Sequence, residues 1–226
     1  MKSTKKPKEY IDRKVKFLSR NFYIDERAHI PRPSTEFITK SYIKSINDLV
    51  SPNLVVADIG TGSGVLPVST ALECSNIRKI YAIDLFEDAL KVAKINRSKY
   101  GLANKIAFVK GDLFKPLLEK PVDVILANLP FADAAKMQKL RPEVIKYEPI
   151  SGIYGGKTGF ELYDKLFRQL DKYQYFNRIR IIWIYCNIEH KQRVEYLHKS
   201  LLRDFKLKFV KDKYKPYYLH CYFYRC

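Results

Sequence analysis

Leu54-Val55-Val56-Ala57-Asp58-Ile59-Gly60-Thr61-Gly62-Ser63-Gly64 decides how this 226-residue chain folds. Its first six residues form an apolar run of strand length, interrupted only by Asp58 near its end. A run of that kind, bounded by glycine, reads as a strand buried on both faces of a parallel sheet. The alternating glycines allow a tight turn out of the strand, because they accept backbone angles closed to other residues. A helix over 64–74 follows. In open parallel sheets ligands bind beyond the carboxyl ends of the strands, which is where residues 58–64 fall.

The same alternation continues outward. KIYAID (79–84), KIAFVKGD (105–112), VDVILAN (122–128) and IRIIWIYC (179–186) read as further buried strands. Helices are expected over 86–100, 158–173 and 189–203, with a loop of nearly 30 residues after 128. Two closing strands, near 205–211 and 217–225, have no helix between them and predict an antiparallel hairpin at the sheet edge. The expected fold is α/β: a Rossmann-like, seven-stranded, mostly parallel sheet with an antiparallel C-terminal hairpin and helices on both faces. Upstream, residues 1–14 read as a basic, disordered arm. Residues 15–226 form a single domain, with a hairpin and a helix in 15–50 and the core in 51–226. Ile30-Pro31-Arg32-Pro33 must be extended, and Ser34 is placed to cap the helix that follows.

Composition narrows the classes. Lys and Arg total 42 against 24 Asp and Glu, a net charge of +18. Such an excess suits an anionic partner. No apolar stretch approaches the ~20 residues of a membrane helix. Cys74, Cys186, Cys221 and Cys226 form no C-x-x-C pair, so no metal site is indicated, and the pattern is that of reduced thiols in a cytoplasmic protein.

The glycine turn departs from the dinucleotide fingerprint, which after Gly60 and Gly62 needs a third glycine where Val65 stands. Gly-x-Gly-x-Gly instead suits a ligand without a pyrophosphate, and S-adenosylmethionine is such a ligand. Asp84, ending the second strand, is placed to accept from both ribose hydroxyls. Asp112, ending the third, is placed to accept from the adenine amino group. The candidate cofactor set is Asp58, Gly60, Thr61, Gly62, Ser63, Gly64, Asp84, Leu85, Asp112, Leu113 and Asn128.

Asn128-Leu129-Pro130-Phe131 ends the fourth strand. An amide or exocyclic amine nitrogen is a poor nucleophile because its lone pair is delocalised. The Asn128 side-chain oxygen and the Leu129 carbonyl can hold both of its N–H groups, aim the lone pair and stabilise the charge that develops. Phe131 can stack on the planar group. The candidate catalytic residues are therefore Asn128, Leu129, Pro130 and Phe131. Arg32, Pro33, Asn128 and Phe131 are the candidate substrate-binding residues, Arg32 being held between prolines.

IPRPSTEF (30–37), DIGTGSG (58–64), AIDLFEDALKVAKIN (82–96), VKGDLF (109–114) and YEPISGIYGGKTGFELYDKLF (147–167) together resemble the HemK/PrmC protein-(glutamine-N5) methyltransferases of the class I S-adenosylmethionine-dependent superfamily. The resemblance implies a glutamine side chain of a peptide-chain release factor, or another translation protein, as methyl acceptor. It implies Gly60 through Gly64, Asp84 and Leu113 around the cofactor and Asn128 through Phe131 around the glutamine. The family's motif is usually N-P-P-Y; Leu129 and Phe131 depart from it. Its bacterial members carry an N-terminal helical bundle, where this sequence has an arm and a hairpin. Two other readings stay open: methylation of an exocyclic amine of an RNA base, and a non-catalytic scaffold that binds the cofactor. The C-terminal Tyr217, Tyr218, Tyr222, Phe223 and Tyr224 read as an ordinary edge hairpin, with base stacking as the alternative.

Overall fold

All six residues of β3 (Leu54–Ile59) are buried, as a strand at the centre of a two-faced sheet must be. The computed structural model describes residues 5–212 and 214–225. β3 pairs in parallel with β4 (Ile77–Asp84) on one side and β6 (Val124–Ala127) on the other. β5 (Ile106–Lys110) extends the sheet beyond β4, and β7 (Ile181–Asn187) extends it beyond β6. The closing strands are β8 (Lys206–Lys211) and β9 (Tyr218–Tyr224). The full order is β5-β4-β3-β6-β7-β9-β8. β9 is antiparallel to both its neighbours, so the hairpin is at the edge as expected, with its second strand inserted between β7 and β8.

Alternate residues of β3 feed two cores. Leu54 and Val56 face one side with α2 (Pro33–Asn47) and α3 (Val65–Glu73), together with Val92 of α4 (Glu87–Lys99). Val55, Ala57 and Ile59 face the other, with α7 (Glu161–Lys172) and α8 (Lys191–Leu201). On α7 the fully buried Tyr163, Leu166, Phe167 and Leu170 recur at helical spacing, each aliphatic or phenyl side chain contributing about 1.5–3 kcal/mol by burial.

Two upstream expectations are corrected, and the hairpin expected after residue 15 is present. The basic segment does not stay a disordered arm: α1 (Lys8–Ile11) folds back, buries Tyr10 and donates its hydroxyl to the Ala28 carbonyl at 2.9 Å. Residues 1–4 lie outside the described residues. The hairpin is short, β1 (Val15–Phe17) against β2 (Arg20–Phe22). Arg32, not Ser34, is the N-cap of α2, because Pro33 has the fixed φ and the missing N–H that suit the first helical position. Downstream, the long loop after β6 contains α5 (Ala134–Gln138) and α6 (Pro142–Tyr147).

Candidate functional site at the switch between β3 and β6

Chain direction leaves β3 toward β4 on one side, while β6 joins it on the other, so the loops after these strands part and leave a crevice. A cavity of ≈ 330 Å³ fills it. Asp58, Gly60, Thr61, Gly62, Ser63, Asp84, Leu85, Asp112, Leu113 and Asn128 all line it, together with Leu129 and Pro130. The register is what brings them level: Ile59 lies opposite both Ile83 and Ala127, so the three strands end side by side.

The glycines do different things. Gly60 and Gly64 adopt φ +77° and +75°, and a side chain there would meet Leu129 Cδ2 or Ala93 Cβ at 2.9 Å. Their lack of a side chain serves packing of the turn against its neighbours. Gly64 accordingly caps α3 and does not line the cavity. Gly62, at φ +54°, has nothing within 4 Å of a notional Cβ, so its open side is available to a ligand. The turn is braced from outside by Asn96 of α4. Its buried side chain donates to the Ser63 carbonyl (2.8 Å) and bonds both backbone groups of Tyr23. Those bonds hold the N-terminal segment in place, and Arg27, Ala28, His29 and Pro31 form a wall of the cavity.

Two carboxylates face the crevice. Asp84 accepts from the Gly62 N–H (2.8 Å) with one oxygen and from the Phe86 N–H (3.0 Å) with the other. Burial raises its pKa, opposed by those N–H groups. Asp58 is fully enclosed. Burial pushes its carboxyl up to about 7, with the Thr61 hydroxyl opposing and Asp84 adding to the rise. Its Oδ2 has no hydrogen-bond partner. A buried acceptor left unpaired costs about 1–3 kcal/mol, so this atom calls for a ligand that carries a cation or N–H donor. A ribosyl ligand bearing an ammonium group fits Asp84, the open side of Gly62 and Asp58 together. Asp112 is otherwise engaged. Lys165 (2.8 Å) and Lys115 (3.3 Å) pair with its two oxygens, and although burial pushes the carboxyl up, these lysines hold it below the usual range. Its carboxylate is thus less available to an adenine amine than the sequence suggested. Leu113, at φ +53°, keeps the chain turned under the cavity.

At the acceptor end, the Asn128 side chain makes no hydrogen bond among the described residues, and no donor reaches the Leu129 carbonyl. The Leu129 N–H does have a partner, the Tyr163 hydroxyl at 3.1 Å. That hydroxyl in turn donates to the Tyr185 carbonyl. A proline at 129 would lack this N–H; with leucine there, Tyr163 supplies the partner a buried donor requires. The turn is clamped from above by residues 153–159. Ala132 donates to Ile153 (3.1 Å) and accepts from Gly155 (2.9 Å). A Cβ at Gly155 would come within 2.4 Å of the Pro130 carbonyl oxygen, and one at Gly159 within 2.4 Å of that of Phe131. These two glycines let the strap lie directly on the acceptor backbone.

Three predicted substrate residues lie elsewhere. The half-buried Phe131 ring stands edge-on to Tyr185 (5.3 Å) and Tyr218 (5.1 Å), next to the cavity and not in its lining. Pro33 is drawn into the first turn of α2, and with Arg32 it borders a separate cleft beside α1. The Arg32 guanidinium pairs with Glu148. Glu148 is 5% exposed, also pairs with His29 (2.6 Å), and accepts from the Ile30 N–H (3.3 Å). Burial works to raise its carboxyl; His29 and Arg32 outweigh it and hold it down to about 2. Sequence reading missed Glu148 and Tyr163 as site-building residues. Glu148 stands in the 147–167 motif and could have been found there, whereas Tyr163 looks like one more core residue on α7.

Sheet order, glycine turn and switch-point cavity together define the class I methyltransferase architecture. A solved structure of a ribosomal protein L11 methylase from Lactobacillus delbrueckii subsp. bulgaricus shares it, with a TM-score of 0.62 at 18% identity over 89% of this chain and 83% of that one. The sequence profile of the family described as Ribosomal protein L11 methyltransferase (PrmA) matches residues 35–152, and the chain belongs to this methyltransferase family. It is 32% identical to a release factor glutamine methyltransferase of Bacillus anthracis, over 73% of this chain and 58% of the relative. It is 34% identical to a ribosomal protein uL3 glutamine methyltransferase of Francisella tularensis, over 79% and 56% respectively. The chain thus spans a little over half the length of these curated relatives. Among the described residues no helix is long and apolar enough to cross a membrane, and no group of three or more His, Cys, Asp or Glu could hold a metal ion.

Proposed function

We propose that this protein is an S-adenosylmethionine-dependent N-methyltransferase whose acceptor is the side-chain amide of a glutamine in a release factor or another translation protein. The observation that carries the reading is the pair of unpartnered acceptors, the Asn128 side chain and the Leu129 carbonyl, beside a cavity that also contains Asp58 and Asp84. S-adenosylmethionine supplies, when bound, a methyl group activated by its sulfonium.

This chain's residues do the rest. Asp84 takes the ribose hydroxyls, held in place by its two backbone bonds. Asp58 takes the ammonium group of the methionine portion, which favours its ionised form over the protonated one that burial alone prefers. Asn128 and the Leu129 carbonyl accept the two N–H bonds of the glutamine amide. That fixes the lone pair toward the methyl and stabilises the positive charge growing on nitrogen. No strong general base is needed, because an N-alkylated amide cation loses its proton readily to water. Pro130 and the 153–159 strap hold the turn rigid, and Phe131 forms an aromatic wall beside it. The names of the curated relatives support a glutamine acceptor.

A second reading, methylation of an exocyclic amine of an RNA base, draws on the same two acceptors and on the net charge of +18. The test is transfer of tritiated methyl from the cofactor into purified release factor, ribosomal protein and ribosomal RNA, followed by site mapping. Label on a glutamine of a protein supports the proposal. Label confined to RNA replaces it with the second reading. Calorimetry with S-adenosylhomocysteine checks the cofactor separately, and no binding would leave neither reading standing.

A further inference from the structure

The face of the sheet that packs against α2 carries, toward the end of the strands away from the cavity, an aromatic stack that the methyl-transfer reading does not use. Trp183 of β7 lies opposite Tyr222 of β9, their rings 4.4 Å apart and 17° from parallel. Tyr224, two residues on and therefore on the same face, stacks on Tyr222 at 4.7 Å and 15°. Most other aromatic pairs in the molecule meet edge-on or tilted; this run of three near-parallel rings is built differently. It leads from the core to the surface. Trp183 is buried, with its indole N–H donating to Ser45 Oγ at 2.9 Å, while Tyr222 and Tyr224 are half-exposed. Phe223 points the other way into the opposite core, so the alternation of β9 divides the C-terminal aromatics between two roles.

Cations border the stack. On the edge strand β8, exposed Lys208 and Lys206 lie directly opposite Tyr222 and Tyr224. On the other side runs α2, whose Asp48 cap acts electrostatically on Tyr222 and pairs with Lys44 at 3.5 Å. Exposed Lys40 stands one turn earlier on the same face as Lys44. The acid nearest the stack is thus already neutralised. Tyr224 lies opposite Ile181, the first residue of β7, whereas the acceptor turn lies beyond the opposite ends of the strands. Asn128 is level with Tyr185 of β7, so four residues at about 3.3 Å along the strand and two strand spacings of about 4.8 Å across the sheet separate the two by roughly 16 Å.

We propose that the Trp183-Tyr222-Tyr224 stack, flanked by Lys208, is a docking surface for single-stranded RNA, distinct from the methyl-acceptor site. A nucleobase continues the ring stack beyond Tyr224, and Lys208 neutralises a phosphate beside it. An acidic protein would satisfy the lysine and leave the aromatic stack without a counterpart. RNA is favoured over DNA because the Tyr222 and Tyr224 phenols can donate to and accept from a ribose 2′-hydroxyl. The surface requires nothing of the cavity, so its test stands apart from that of methyl transfer.

The experiment is fluorescence anisotropy of the full chain, without cofactor, with a labelled 12-nucleotide single-stranded RNA over a salt series. Tyr224→Ala should weaken binding by about 5- to 150-fold, the worth of one stacked base. Lys208→Gln should lower the slope of log affinity against log salt by about 0.7, the worth of one phosphate on a single strand. Tyr224→Leu, which keeps the apolar bulk, should weaken binding as Ala does, and circular-dichroism melts verify that each variant is folded. Undiminished affinity in both Tyr224 variants overturns the proposal. So does equal competition by polyglutamate, which would mean an acidic peptide surface, or equal binding of the matching DNA strand.

Discussion

Removing one oxygen atom from Tyr163 tests how the acceptor turn is held. The Tyr163 hydroxyl is fully buried, accepts from the Leu129 N–H at 3.1 Å and donates to the Tyr185 carbonyl. Tyr163→Phe keeps the ring on α7 but strands the Leu129 N–H in a site where Leu129 is 3% exposed. An orphaned buried donor costs about 1–3 kcal/mol, and the Tyr185 carbonyl loses a donor besides, so the variant should lose about 2–3 kcal/mol in urea unfolding. The freed turn lets the Leu129 carbonyl wander, so kcat for methyl transfer should fall about 10- to 100-fold with little change in cofactor affinity. A double-mutant cycle isolates the cause. Leu129→Pro has no N–H to strand, so Tyr163→Phe made in that background should cost about 1–2 kcal/mol less than in the parent. Zero coupling, or unchanged kcat in Tyr163→Phe, would refute the assignment of Tyr163 as the positioning residue for the acceptor carbonyl.

Other outcomes follow from the same geometry. Asn128→Ala should lower kcat about 10²- to 10³-fold, by analogy with removal of one charge-stabilising group, while calorimetry with S-adenosylhomocysteine shows affinity largely kept. Because burial puts the Asp58 carboxyl at about 7, cofactor affinity should rise with pH and level off above about 7, with a limiting slope of tenfold per pH unit below it; Asp58→Asn should flatten that profile. Glu148 has a folded pKa lowered to about 2, so its stabilisation is present above about 4.5 and lost as pH falls toward 2. It amounts to at most about 3 kcal/mol, and Glu148→Gln should remove this part of the acid limb in thermal melts. Gly155→Ala puts a methyl 2.4 Å from the Pro130 carbonyl oxygen, so turnover should drop while the melting transition stays cooperative.

Most of the sheet was readable because its signals are local. Apolar runs marked every central strand to within a few residues, and LVVADI (54–59) coincides with β3. Elements set by long-range contact were not readable in the same way. Nothing local in KKPKEYID predicts α1, whose order comes from burying Tyr10 against Ala28. The start of α2 was misplaced because Ser34 is a common cap and Pro33 a better first residue. At the site, residues 60–63 of the glycine turn, Asp84 and Asn128 line one cavity. Side chains chosen by chemistry alone have partners that the sequence does not show. Arg32 looked poised for a substrate and instead pairs with Glu148, 116 residues away. Asp112 looked free for adenine and is shared by two lysines.

Local pattern alone sets the alternation of strands and helices, the glycine turn at 60–64, and the parallel strands to within about two residues of their ends. These depend on period, on glycine's backbone freedom and on strand ends, all properties of neighbours along the chain. Long-range packing alone settles that the Tyr163 hydroxyl holds the Leu129 N–H, that Glu148 gathers His29 and Arg32, that Gly155 and Gly159 bring the strap onto the turn, and that Tyr222 and Tyr224 stack on Trp183 while Phe223 turns away. Each of those depends on where distant segments meet in space. A hydroxyl, a carboxylate or a missing Cβ has no consequence until packing brings its partner within about 3 Å.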